Sequence, residues 1–152
     1  MRYRIVAVGA LRRGYARSGC RHYQERLTPL APVEVIETRA DRGPDAATGR
    51  AREGDGLLRR ADGRLVALDE RGRAWRTEAL ARHVAELELR GTSRLTILIG
   101  GADGLDPEVR RRADEVWRLS ELTLPHELAR LVLLEQLYRI ETIRAGHPYH
   151  RG

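Results

Sequence analysis

The chain has 152 residues, one ordinary domain's worth, and that length supports a core without help from disulfides or metal. Hydrophobic residues make up 41% and charged residues 33%, which excludes a disordered chain, and no apolar run approaches the roughly 20 residues that span a bilayer. The net charge is +6 and the 28 basic positions are all arginine; the absence of lysine excludes a Walker-A phosphate loop and a Schiff-base lysine.

Residues 2–8 read as a first β-strand that Gly9 closes, and the short apolar stretch fits a strand better than a signal peptide. Cys20, Tyr23, Leu27 and Leu30 recur at helical spacing, with Pro29 and Pro32 as punctuation. Cys20 is the single cysteine, so intramolecular disulfides and multi-cysteine zinc sites are excluded, and its expected role is that of a small buried hydrophobe. VEVIET, 33–38, alternates as a second strand. Residues 39–56 begin as a loop and turn into a helix ending near Ala61, before an Asp62-Gly63 turn. RLVALD, 64–69, is the third strand, and residues 70–75 read as a loop. Thr77 is the expected cap of a helix that runs to Arg90 and stops at Gly91.

RLTILI, 94–99, is the most apolar strand and is expected at the centre of the sheet. Asp106-Pro107-Glu108 marks a helix start. Residues 115–120 suggest a short fifth strand, and a long helix opens at Pro125 and ends at Gly146. The order alternates strand and helix throughout, which predicts an α/β fold with a mostly parallel sheet flanked by helices.

In such sheets ligands gather beyond the carboxyl ends of the strands, and three stretches fall there. LIGGADGLD, 98–106, places Gly100, Gly101 and Gly104 directly after the central strand, where the backbone can turn sharply and approach a ligand. A tight strand-to-helix turn explains those glycines equally, and the dinucleotide G-x-G-x-x-G register is not met. Residues 120–124 fit neither a strand nor a helix and end in Pro125; such a segment can offer backbone N–H and C=O groups to a planar ring. The tail HPYHR, 147–151, gathers His147, Tyr149, His150 and Arg151. His126, His147 and His150 lack a fourth ligand at a suitable offset, so no metal is expected. The helix from 126 to 145 carries Leu128, Leu131, Val132, Leu133, Leu134, Leu137, Tyr138 and Ile140 around most of its circumference. A surface helix needs only one apolar stripe, so a second one predicts a symmetric homodimer. The basic balance favours a polyanionic partner, nucleic acid first, against the plainer alternative of solubility.

The order LIGGADG, then WRLSELTLPH at 117–126, LYRI at 137–140 and HPYHR at 147–151 resembles the ribosomal RNA large subunit methyltransferase H family, a branch of the SPOUT methyltransferases. The likeness covers the whole chain, including the opening VAVG and the L-D-x-x-G-x-x-W segment at 68–75. Residues 39–63 are rich in Arg, Gly and Asp where relatives are lysine-rich, which keeps the basic charge. The resemblance implies a single SPOUT domain over 1–152, with a C-terminal segment threaded into a deep trefoil knot. It implies a homodimer that binds S-adenosylmethionine and methylates N3 of a pseudouridine in 23S rRNA, on the assembled ribosome in the cytoplasm, with neither DNA nor membrane as partner. The donor site carried over is Leu68, Gly100, Gly101, Ser120, Glu121, Leu122, Thr123, Leu124 and Pro125. The catalytic set is His126, Tyr149, His150 and Arg151. The rivals are a SPOUT methyltransferase acting on another RNA, such as a tRNA position, another nucleotide-using α/β enzyme, and an RNA-binding domain with no catalysis.

Overall fold

The computed structural model describes residues 1–151. Five strands form one sheet in the order β2-β1-β4-β3-β5, and every pairing is parallel. They are β1 (Arg2–Val8), β2 (Val33–Thr38), β3 (Arg64–Ala74), β4 (Arg94–Ile99) and β5 (Glu115–Arg118). The helices between them are α1 (Gly14–Leu27), α2 (Ala46–Arg59), α3 (Thr77–Leu89), α4 (Pro107–Arg112) and α5 (His126–Arg144), followed by a short 3₁₀ turn, Pro148–Arg151.

The position of each strand follows from its composition. β1 and β4 are apolar on both faces and lie side by side in the interior of the sheet. β2 alternates charged and apolar residues and takes an edge. Because successive side chains point to opposite faces, each central strand feeds two cores. Tyr3, Ile5, Ala7, Leu95, Ile97 and Ile99 pack under α1, α3 and α5. Val6, Val8 and Leu98 pack with Leu57 of α2 and Val109 of α4 on the other face. Thr96 is the polar exception in β4; its hydroxyl donates to the Asp62 carbonyl at 2.5 Å, so its burial leaves no hydroxyl unpaired.

Three boundaries differ from the sequence expectation. β3 does not stop at Asp69 but runs to Ala74, because Arg73 and Ala74 pair with Trp117 and Arg118 after a register shift. Gly72 makes that shift possible: a Cβ there would lie 2.6 Å from the backbone of Trp117 and 2.7 Å from that of Val116. β5 ends at Arg118 rather than Ser120, which frees the segment after it. Thr77 does not cap α3. Arg76 holds the cap position without a side-chain bond, and the Thr77 hydroxyl instead donates to Gln136 of α5 at 2.9 Å. Elsewhere the caps follow composition: the Asp45 carboxylate accepts from the Thr48 N–H, and that of Asp106 from the Glu108 N–H.

The long helix α5 is not uniformly apolar inside. Glu127, Arg130 and Glu141 are all buried, and each is compensated. Glu127 accepts the backbone N–H groups of Arg12 and Arg13 at 2.7 and 2.9 Å. Arg130 donates to Glu37 at 2.8 Å and to the Gly9 carbonyl at 3.0 Å. Glu141 accepts from the Tyr3 hydroxyl at 2.6 Å and from Arg144. These bonds tie α5 to β1 and to the segment after it. No described helix is long and apolar enough to cross a membrane.

Candidate active site

A cleft of about 880 Å³ opens at the carboxyl ends of β3, β4 and β5. Its volume is in the range of small-ligand sites, roughly 300–1,000 Å³. One wall is the turn after β4, from Ile99 through Leu105. Gly100 is required there by close approach: a Cβ would lie 2.7 Å from the carbonyl carbon and oxygen of Gly104 and 2.9 Å from the Leu105 nitrogen. The turn therefore folds back on itself, with Gly101 and Gly104 bridged and the Gly104 N–H donating to the Gly101 carbonyl at 3.0 Å.

The opposite wall is the irregular segment after β5. Ser120, Leu122, Thr123, Leu124, Pro125 and His126 all line the cleft, and Leu68 from β3 lines it with them. The segment is held open locally: the Leu122 N–H donates to the Ser120 hydroxyl at 2.9 Å, and Pro125 then starts α5. Leu122 is 77% exposed although it is a large aliphatic residue. An apolar side chain left uncovered at the mouth of a cleft is a ready contact for a ligand's apolar part. Of the nine residues expected at the donor site, eight meet in this cleft. Glu121 is the one that does not line it; it is exposed, with its carboxylate 4.0 Å from Arg118.

The rim carries charges of both signs. Asp69, shielded from solvent, accepts from Arg110 at 3.3 Å, and Arg110 also donates to the Leu105 carbonyl. Arg118 lines the cleft with its Nε buried and without a hydrogen-bond partner among the described residues. Under the glycine turn, Glu53 of α2 is buried and accepts the Asp41 N–H at 3.2 Å. Burial pushes its carboxyl up, and the nearby Asp103 and Asp41 push it the same way. Sequence reading passed over Arg110, Arg118 and Glu53, because nothing local marks a helix or strand arginine as lining a cleft formed by distant segments, or a helix glutamate as buried beneath its glycine turn.

The tail is placed elsewhere. Tyr149 packs on Tyr138 with ring centroids 4.6 Å apart, and its hydroxyl donates to Glu135 at 3.3 Å. Arg26 and Arg139 lie over its ring at 5.6 and 5.0 Å. Burial, with Tyr23 and Glu135 adding to it, pushes the Tyr149 phenol up, so it is protonated at neutral pH. His150 accepts or donates no side-chain bond to the cleft; its Nδ1 is 2.9 Å from the His147 carbonyl. Glu135 is nine positions beyond His126, about 14 Å along the helix. Thus the structure brings His126 to the cleft but leaves Tyr149, His150 and Arg151 of the same chain outside its lining.

Residues 1–150 match the family described as "Predicted SPOUT methyltransferase". A ribosomal RNA large subunit methyltransferase H of Thermus thermophilus is 47% identical over 152 residues, covering 99% of both chains. The protein of the same description from Rhizobium meliloti is 45% identical, covering 100% of both. The chain belongs to the ribosomal RNA large subunit methyltransferase H family. Solved structures extend the likeness at the level of fold. A probable methylase family protein of Haemophilus influenzae superposes with a TM-score of 0.58 at 13% identity, over 97% of this chain and 69% of that one. A Legionella pneumophila protein, described as a methyltransferase in complex with bound cofactor SAM, gives 0.51 at 12% identity, over 90% of this chain and 65% of that one. Within the matched residues, the glycine turn and the irregular segment face one another across the sheet edge as the two walls of the cleft.

Proposed function

We propose that this protein transfers a methyl group from S-adenosylmethionine to N3 of a pseudouridine in 23S rRNA, on the assembled ribosome in the cytoplasm. The observation that carries the reading is the convergence of Gly100, Gly101, Leu68, Ser120 and residues 122–125 on one cleft, in a chain 47% identical to a ribosomal RNA large subunit methyltransferase H. In this reading the segment from β5 to α5 belongs to a trefoil knot. The glycine turn offers its backbone groups to an adenosine compound, since the absence of a Cβ at Gly100 lets the chain fold back tightly on Gly104 at the wall of the cleft.

When bound, S-adenosylmethionine supplies a methyl group already activated on a sulfonium. The protein's remaining tasks are alignment and deprotonation. The backbone of residues 120–125 holds the donor, and His126 positions that segment at the start of α5. The acceptor nitrogen carries an imide proton. His150 takes that proton, and Arg151 steadies the imide anion electrostatically. Tyr149 stacks on or hydrogen-bonds the target base. With that proton removed, the tail residues would hold the N3 lone pair in line with the methyl group that the donor, seated on residues 120–125, would supply.

The tail of one chain packs against its own α5 away from its own cleft. The second chain of a homodimer therefore supplies Tyr149, His150 and Arg151 to this cleft. α5 retains partly exposed Leu128, Leu131 and Val132 for such an interface.

Calorimetric titration with S-adenosylmethionine, with mass measured in solution, tests donor and dimer together. Methyl transfer to ribosomes lacking the modification tests the reaction, and no transfer by a folded, donor-binding dimer refutes it. Arg151→Ala is expected to abolish most transfer and to leave donor affinity within twofold. Mixed dimers of Arg151→Ala and Gly100→Ala, each nearly inactive alone, regain activity if the tail acts across the interface. Mixed dimers that stay inactive refute that arrangement.

A further inference from the structure

A second hollow lies on the same sheet edge, at the ends of β1 and β2. It measures about 370 Å³ and is lined by Leu11, Arg17, Cys20, Arg21, Glu37 and Arg130 among others. Nothing in the proposed chemistry uses it. Two observations connect it to the active cleft. Ala129 lines the cleft and Arg130, the next residue of α5, lines the hollow, so the first turns of α5 are the wall between them. Glu127 of the same helix holds the Arg12 and Arg13 backbone at 2.7 and 2.9 Å, which fixes the start of α1 to the end of the donor-holding segment.

The charge of the hollow comes from α1. Arg13, Arg17 and Arg21 are spaced four apart and share one flank of the helix, and all three are exposed, as is Arg12. Among the described residues, the guanidinium groups of these four have no carboxylate within 4.0 Å; Glu127 meets only the backbone N–H groups of Arg12 and Arg13. The one acid in the hollow, Glu37, is already engaged by Arg130 and by the Leu11 N–H. Other arginines of the chain are unpaired too. These differ because they are grouped on one flank, border a concave surface and are braced against the active cleft. On the other side of α1, Tyr23 and Arg26 face Tyr138 and Tyr149 instead.

We propose that the α1 flank and its hollow bind the phosphodiester backbone of the RNA strand whose target base enters the cleft. Arg12, Arg13, Arg17 and Arg21 contact phosphates and set the register of the strand; they carry no sequence information. This inference rests on the RNA methylation reading above.

The test is the affinity of the full-length protein for ribosomes lacking the modification. It is measured by co-sedimentation over a range of monovalent salt at fixed magnesium, for wild type, Arg17→Ala/Arg21→Ala and the control Arg82→Ala/Arg90→Ala. The control removes the same charge from exposed positions on and just beyond α3. Each phosphate contact contributes about 0.7–0.9 to the slope of log affinity against log salt. The α1 double variant is expected to lower the slope magnitude by about 1.4–1.8, with S-adenosylmethionine affinity within twofold of wild type. The control is expected to leave the slope unchanged. An unchanged slope in the α1 variant overturns the inference, as does an equal loss in the control, which would mean net charge alone. The Arg17→Gln/Arg21→Gln variant, which keeps helix propensity and a polar side chain while removing the charge, must repeat the loss. Wild type that binds and methylates ribosomes while the α1 variant matches it sinks this inference alone. Wild type that binds S-adenosylmethionine but no ribosomes sinks the methylation reading and this inference with it.

Discussion

Gly100→Ala tests the cleft at its tightest point. The added Cβ would lie 2.7 Å from two backbone atoms of Gly104, and ordinary contact begins at 3.4 Å, so the turn must open by about 0.7 Å. The obstructing atoms are backbone, which cannot rotate aside as a long side chain would. Overpacking of this kind costs about 1–3 kcal/mol. For a chain of this length that lowers the melting temperature by roughly 2–12 °C. The opened turn is also the wall of the cleft, so affinity for S-adenosylmethionine is expected to fall by about tenfold or more, each tenfold being about 1.4 kcal/mol. Gly14→Ala is the matched control, since a Cβ there meets nothing within 4 Å and Gly14 is the first residue of α1. It should leave donor affinity unchanged and the melting temperature equal or slightly higher. Calorimetry at one temperature, with thermal melts of the same samples, decides the matter. If Gly100→Ala binds the donor within twofold of wild type, the glycine turn is not part of the donor site.

Two further substitutions separate stability from binding. Leu122→Ala removes a side chain that is 77% exposed yet lines the cleft; stability should change by less than about 0.5 kcal/mol while donor affinity weakens severalfold, and equal donor affinity would remove Leu122 from the site. Glu127→Gln weakens two charge-assisted bonds to backbone N–H groups and should cost about 1–3 kcal/mol in urea denaturation at neutral pH. The Arg13 and Arg12 N–H groups hold the Glu127 carboxyl below its ordinary 4.5. Its contribution is therefore present above the unfolded value and is lost as pH falls through the lower folded one. The gap between wild type and variant should close in acid, and a gap of constant size at all pH values would refute the role of the charge.

The parts of the fold that were legible in the sequence are those with a local cause. β1 and β4 are predominantly apolar, with no charge within Ile5–Val8 or Ile97–Ile99, and the Asp106-Pro107 start of α4 is a cap followed by the imino acid that suits the first helical turn. The extension of β3 was not legible, because ERGRA has no strand pattern. Its pairing partners, Trp117 and Arg118, lie more than forty residues on, and only a backbone clash explains Gly72. The two cleft walls were legible as motifs, since glycines after a central strand and a proline-ended irregular segment each have a physical reading. The tail was legible as chemistry but not as position. Its ring packs on Tyr138, and nothing in HPYHR indicates that preference over the cleft. Nor does an apolar helix announce that Glu127, Arg130 and Glu141 are its buried members, each satisfied by a partner far away in sequence.

The neighbour of β1 on its inner side has a consequence for synthesis. Arg2 pairs with Arg94 and Ala7 with Ile99, so the first strand made waits for the fourth, 92 residues later. At the 5–20 residues per second of translation that interval is about 5–18 s. During it β1 can pair only with β2, leaving one apolar edge of the nascent chain open to chaperones or to unwanted pairing. A protein whose proposed substrate is the ribosome thus completes its own sheet only with β5, when more than three quarters of it has left one.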